Sequence, residues 1–196
     1  MKPAVFSILF AIGLSTLTGC SMLKDTKNGM GAKAAKAKLS GQVPAAPQRI
    51  SKHFIRHDFD SRPWVQDVID LSEDQAVAEW LVKGQSQTDW TEKLTAAISY
   101  READVHSLVR FIERRLGEKC PDFRSRILSD RPGDITFEWS HNGCDDDPPQ
   151  RETRRIMAGI DGTYSISYTA RPGGYERELY QQWVDIILGA DLLNRK

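Results

Sequence analysis

Catalytic signatures are missing from this sequence. It has no Gly-x-Ser-x-Gly elbow, no phosphate loop and no His-Glu-x-x-His pair, so the motif-borne chemistries of hydrolases, nucleotide-binding proteins and zinc proteases find no foothold. No cofactor is expected. An excess of charge of one sign is lacking too. The chain has 27 Lys and Arg against 27 Asp and Glu, which argues against nucleic acid as its partner. No apolar run approaches the roughly 20 residues of a membrane span. Segmental repeats and coiled-coil heptads are absent. Histidine is scarce, with four residues at His53, His57, His106 and His141. On a strand His53 and His57 would lie about 13 Å apart, too far to share one metal. An enzyme would need a dispersed constellation, such as His141 with an Asp of the nearby acidic loop.

What the chain does have begins at its start. Lys2 precedes an apolar run from Ala4 to Leu14, and the small residues Thr18 and Gly19 follow. Basic, apolar and small residues in that order read as a secretory signal segment. Leu17-Thr18-Gly19-Cys20 resembles the lipobox of bacterial lipoproteins. The resemblance implies cleavage before Cys20 and acylation of that residue, with residues 1–19 as the signal peptide. Ser21 in place of Asp resembles the outer-membrane sorting signal. Lipid on Cys20 would hold the protein to the membrane, since each buried methylene adds about 0.8 kcal/mol. The expected location is the outer membrane, on a periplasm-facing anchor.

With Cys20 assigned to lipid, Cys120 and Cys144 remain. An oxidising compartment outside the inner membrane favours a disulfide between them. A loop of that length gives roughly 3 kcal/mol of stabilisation. The alternatives are a reactive thiol pair or a metal site that borrows His141, three residues before Cys144. Two cysteines and one histidine make an incomplete ligand set.

Residues 20–48 read as the acylated Cys and a flexible tether. They carry Lys24, Lys27, Lys33, Lys36 and Lys38 with few large apolar side chains. Such a coil reaches on the order of 30 Å. Its charge suits solvation, with attraction to anionic lipid or the cell wall as the sharper option.

Residues 49–196 are expected to form one α+β domain. Trp64–Leu71 reads as a strand, Ala76–Lys83 as a short helix or a strand, and Trp90–Tyr100 as a strand by alternation. Ser99 and Glu102 have capping-box spacing. Val105, Leu108, Val109, Ile112 and Leu116 form one apolar stripe, and Gly117 supplies a stop, which predicts a helix over about 103–117. Strands follow at 123–128, 134–140, 152–160 and 163–170, the last two joined through Asp161-Gly162. A terminal helix is expected over about 176–192. The order predicts an antiparallel sheet with both helices packed on one face.

Between Gly84 and Arg171 the chain also resembles a group of small exported bacterial proteins of unknown function. The shared features are Gly84-Gln85-Ser86, Trp90-Thr91 with Thr95, Cys120-Pro121, Cys144 and the hairpin from Ala158 to Tyr164. That resemblance implies a cysteine pair and no activity. The element order also looks somewhat like a Mog1/PsbP-type sandwich, which carries no function.

Two features are candidate binding surfaces. Asp145, Asp146 and Asp147 form an acidic loop ahead of Pro148-Pro149, suited to docking on a basic cleft and poorly spaced for a cation. Of the five tryptophans, Trp64 and Trp90 are the two expected to show an edge, while Trp139 and Trp183 fall on core faces. The expected function is a non-catalytic envelope lipoprotein that binds an envelope protein or supports an assembly. The alternative is a cell-wall or small-ligand binding module of the periplasm.

Overall fold

The computed structural model describes residues 55–56, 60–145 and 147–192. The expected signal segment, Cys20, the tether, His53, His57 and Asp146 lie outside the described residues. Among the described residues, nine strands and two helices follow in chain order. They are β1 (Ile55–Arg56), β2 (Trp64–Leu71), β3 (Gln75–Val82), β4 (Glu92–Ser99), α1 (Val105–Lys119), β5 (Arg124–Arg131), β6 (Asp134–His141), β7 (Gln150–Ala158), β8 (Thr163–Ala170), α2 (Arg177–Gly189) and β9 (Asp191–Leu192). Seven strands make one antiparallel sheet in the order β2-β3-β4-β8-β7-β6-β5, and β1 pairs with β9. The architecture is α+β, as expected. The ambiguous segment after Asp74 is strand β3, because its Ala76 and Ala78 pair with the apolar positions Ile98 and Ala96 of β4.

The helices do not share a face. Alternate residues of β7 separate them: Ile156 belongs to one apolar cluster with Val109, Ile112 and Leu116 of α1, while its neighbour Met157 belongs to another with Trp183 and Ile187 of α2. Successive strand residues point to opposite sides, so α1 covers one side of the sheet at β6 and β7, and α2 covers the other. Each helix buries its own apolar stripe on a different set of strand residues: Ile135, Phe137 and Trp139 for α1, and Leu94, Ala96, Ile166 and Tyr168 for α2.

Helix limits differ from the sequence reading for local reasons. Ser99 is still paired in β4, to Gln75 and Thr163. The N-cap is therefore Asp104, whose carboxylate accepts from the Ser107 N–H at 2.8 Å. The helix runs past Gly117 and ends at Cys120, whose N–H bonds the Leu116 carbonyl. At the other end, α2 stops at Gly189 so that Asp191 and Leu192 can pair with β1.

One buried arginine fixes α2 to the sheet. Arg155 of β7 forms a fork on Asp134 of β6 at 2.8 and 2.7 Å. Its remaining N–H groups reach the carbonyls of Leu188 at 2.7 Å and Ala190 at 2.5 Å, with Ile187 at 3.4 Å. A guanidinium thus satisfies the otherwise orphaned carbonyls at the negative end of the helix.

Candidate functional site

The residues with chemical potential gather at one end of the sheet, where β6 ends, β7 begins and β8 ends. Cys120 and Cys144 are bonded there, with Cα atoms 5.1 Å apart across a separation of 24 residues. The bridge ties the end of α1 to the loop after β6, as the sequence predicts. His141 lies beside it, with Nδ1 3.8 Å from the Cys144 sulfur. The three ligand atoms lie within 4.8 Å of one another. With the sulfurs bonded to each other, however, neither is available as the thiolate a metal would need.

His141 is buried and stacks on Trp139, with ring centroids 5.8 Å apart. The Gly143 N–H donates to its Nδ1 at 3.1 Å, and its Nε2 lies 3.1 Å from the Gln150 amide. Burial holds the imidazole below its ordinary value, against the opposing pull of Asp147 and Asp122. An acceptor Nδ1 and a depressed pKa make it a neutral ring at neutral pH.

The acidic loop is partly consumed by the fold. Asp147 is paired with Lys119, and its backbone bonds that of Cys144 in both directions. Asp145 is exposed and takes a positive φ of 50° at the turn.

Of the two tryptophans expected to show an edge, Trp64 is half-buried and Trp90 is buried. Trp90 is only 4% exposed. Its ring is capped by the Arg171 guanidinium 3.6 Å from the centroid and by Lys93 Nζ at 4.6 Å. Trp64 is half-buried, edge-on to Trp183 at 5.3 Å, and its Nε1 donates to Asp60 at 2.9 Å. Asp60 also accepts from Arg62 and from Trp183 Nε1. Burial works to raise its pKa, but these hydrogen bonds prevail and hold it below the usual carboxylate value. Trp139 and Trp183 are in the core, as expected. His106 binds the Asp130 carboxylate at 2.9 Å on the surface.

The exposed aromatic that matters is Tyr175, at 41%. It borders a cleft of about 350 Å³ together with His141, Gln150, Arg151 and Arg171, a volume in the range of small-molecule sites. Arg151 donates to the Tyr175 hydroxyl at 2.6 Å and lies over the rings of Tyr175 and Tyr180, at 4.9 and 5.5 Å. The loop after β8 is locked onto the start of β4. The Arg171 N–H bonds the Thr91 carbonyl at 2.8 Å. A Cβ on Gly174 would stand 2.6 Å from that same carbonyl oxygen. Only glycine allows this approach, and it sets the position of Arg171 and Tyr175. No family model matches the chain, and no curated protein matches it.

Proposed function

We propose that this chain is a non-catalytic binding lipoprotein of the bacterial cell envelope. Lipid on Cys20 anchors it to the outer membrane, and the tether presents the α+β domain to the periplasm. Support for the address comes from Leu17-Thr18-Gly19-Cys20 and from the Cys120–Cys144 bridge, which suits an oxidising compartment. The observation that carries the binding role is the cleft at the sheet end, with its guanidinium groups, amide and exposed tyrosine ring. Aromatic faces beside convergent polar donors are the makings of a small-ligand site. The cleft therefore favours a cell-wall or small-ligand role over docking of an envelope protein through the acidic loop, where Asp147 is already paired with Lys119.

Two experiments test this reading. Growth with an alkyne-bearing fatty acid should label the parent protein and leave Cys20→Ser unlabelled. Equal labelling would refute the anchor. Sedimentation of the full chain with purified peptidoglycan tests the wall-binding form, and a protein that stays wholly in the supernatant counts against it.

A further inference from the structure

Several arginines in or beside the sheet sit on carboxylates. Arg62, Arg126, Arg154 and Arg155 each hold one at 2.6 to 2.9 Å. Arg151 and Arg171, which border the cleft, do not. Neither forms an ion pair among the described residues, and both lie against aromatic rings instead. Arg171 Nε is buried with no hydrogen-bond partner, and so is Nε1 of the Trp90 it covers. The carboxylate that acts on Arg171 is Asp147, and Asp147 is bonded to Lys119. Stacking holds a guanidinium by its face; the terminal nitrogens of Arg171, and those N–H groups of Arg151 not spent on the Tyr175 hydroxyl, are left for a ligand. Two such groups, on adjacent strand ends of one cleft, form a positive site without an ion-pair partner among the described residues. An unpaired charge in a half-buried place is costly unless a counter-charge arrives.

We infer that the Arg151–Arg171 cleft binds a small anion, a carboxylate- or phosphate-bearing molecule, with Tyr175 stacking on the body of the ligand. The fork geometry of guanidinium matches both groups bidentately. His141 is neutral and adds no charge, while the amides of Gln150 and Asn142 border the same cleft and can hydrogen-bond neutral parts of a ligand. This inference rests on the proposed binding role and narrows it to a ligand class.

The test is isothermal titration of the full chain in detergent micelles with three probes: galacturonate, inorganic phosphate and neutral galactose. Galacturonate, phosphate or both should bind, and galactose should bind at least about tenfold more weakly, as expected when a charged hydrogen bond is lost. Arg151→Gln and Arg171→Gln should each weaken anion binding by about tenfold or more, while Arg131→Gln, on the exposed edge strand, leaves it unchanged. The melting point of each variant is measured alongside. Arg151 lies on β7 and Arg171 after β8, so one remains informative if the other unfolds. The preferred anion tells a carboxylated ligand from a phosphorylated one. Anion binding that persists in both variants overturns the inference. Galactose binding as tightly as galacturonate overturns it too, and leaves the binding role standing. If no probe binds but peptidoglycan retains the protein, the anion site falls alone; if peptidoglycan also fails, the binding role falls with it.

Discussion

Arg155→Met is the most revealing single change in the core. The substitution keeps an unbranched side chain of similar reach and removes the guanidinium. Asp134, only 4% exposed, would keep a buried carboxylate and lose its fork. Breaking a buried pair from one side costs about 3 to 5 kcal/mol. The carbonyls of Leu188 and Ala190 would lose their donor as well, which loosens the end of α2. At this chain length each kcal/mol moves the melting midpoint by about 2 to 4 °C, so a fall on the order of 10 °C is expected by circular dichroism. Removing the second charge separates the two contributions. Arg155→Met with Asp134→Leu should recover more than half of the loss, because a buried pair replaced by apolar groups is close to neutral. Full recovery is not expected, since the helix carbonyls remain without a donor. A single variant within about 1 kcal/mol of the parent would refute the argument. So would a double variant whose loss equals the sum of the two singles, because residues in contact must couple.

Other consequences are simpler to read. Cys120→Ser, or reductant on the parent, should lower stability by about 3 kcal/mol, the chain-entropy value for a loop of this length; unchanged melting would mean that the bridge does not constrain the unfolded chain. Gly174→Ala places a methyl against the Thr91 carbonyl oxygen, and should cost more than about 1 kcal/mol while disturbing the Arg171 loop; a neutral effect would show that the loop is not clamped. Burial raises the pKa of Tyr164, Tyr168 and Tyr180 above the ordinary value of 10.0. Their contribution is complete below the unfolded value and is lost as pH rises above it. Urea midpoints should therefore fall on the alkaline side of about pH 10, and a flat profile there would contradict the burial of these hydroxyls.

Much of the fold is legible in the sequence because periodicity and burial agree. The limits of β2 and β8 coincide with the alternating runs Trp64–Leu71 and Thr163–Ala170. The stripe from Val105 to Leu116 is the buried face of α1. Caps are less legible. Ser99 has the right spacing for a capping box, but pairing with Gln75 and Thr163 keeps it in the sheet, and Asp104 takes the role. The face each helix covers is not written in the order of elements either. It depends on strand parity: odd residues of β6 (Ile135, Phe137, Trp139) meet α1, and even residues of β8 (Tyr164, Ile166, Tyr168) meet α2. Two alternating strands read alone give no common reference for up and down. The β7 register supplies it, through Ile156 with Ser165 and Met157 with Tyr164.

The cleft was hidden for a related reason. In the sequence Arg151 stands close after the acidic loop, and Arg171 stands beside Pro172, some 20 residues on. Trp90 stands far upstream and looks like a surface aromatic at a strand start. Register alone brings them together: Arg151 pairs with Ala170, and Ala170 pairs with Glu92, which places Arg171 against Trp90. Asp147 is held instead by Lys119 at the end of α1 and by the backbone of Cys144. The bridge holds that arrangement, because Cys120 follows Lys119 directly. It sits next to the lysine that pairs with Asp147. On the proposed anion site, the disulfide would then bear on binding as well as on stability. If so, Cys120→Ser should weaken anion binding at temperatures where the domain is still folded, by freeing Asp147 to move toward Arg171. Titration of that variant with galacturonate and phosphate, well below its melting point, separates the two roles. Affinity equal to that of the parent would confine the bridge to stability.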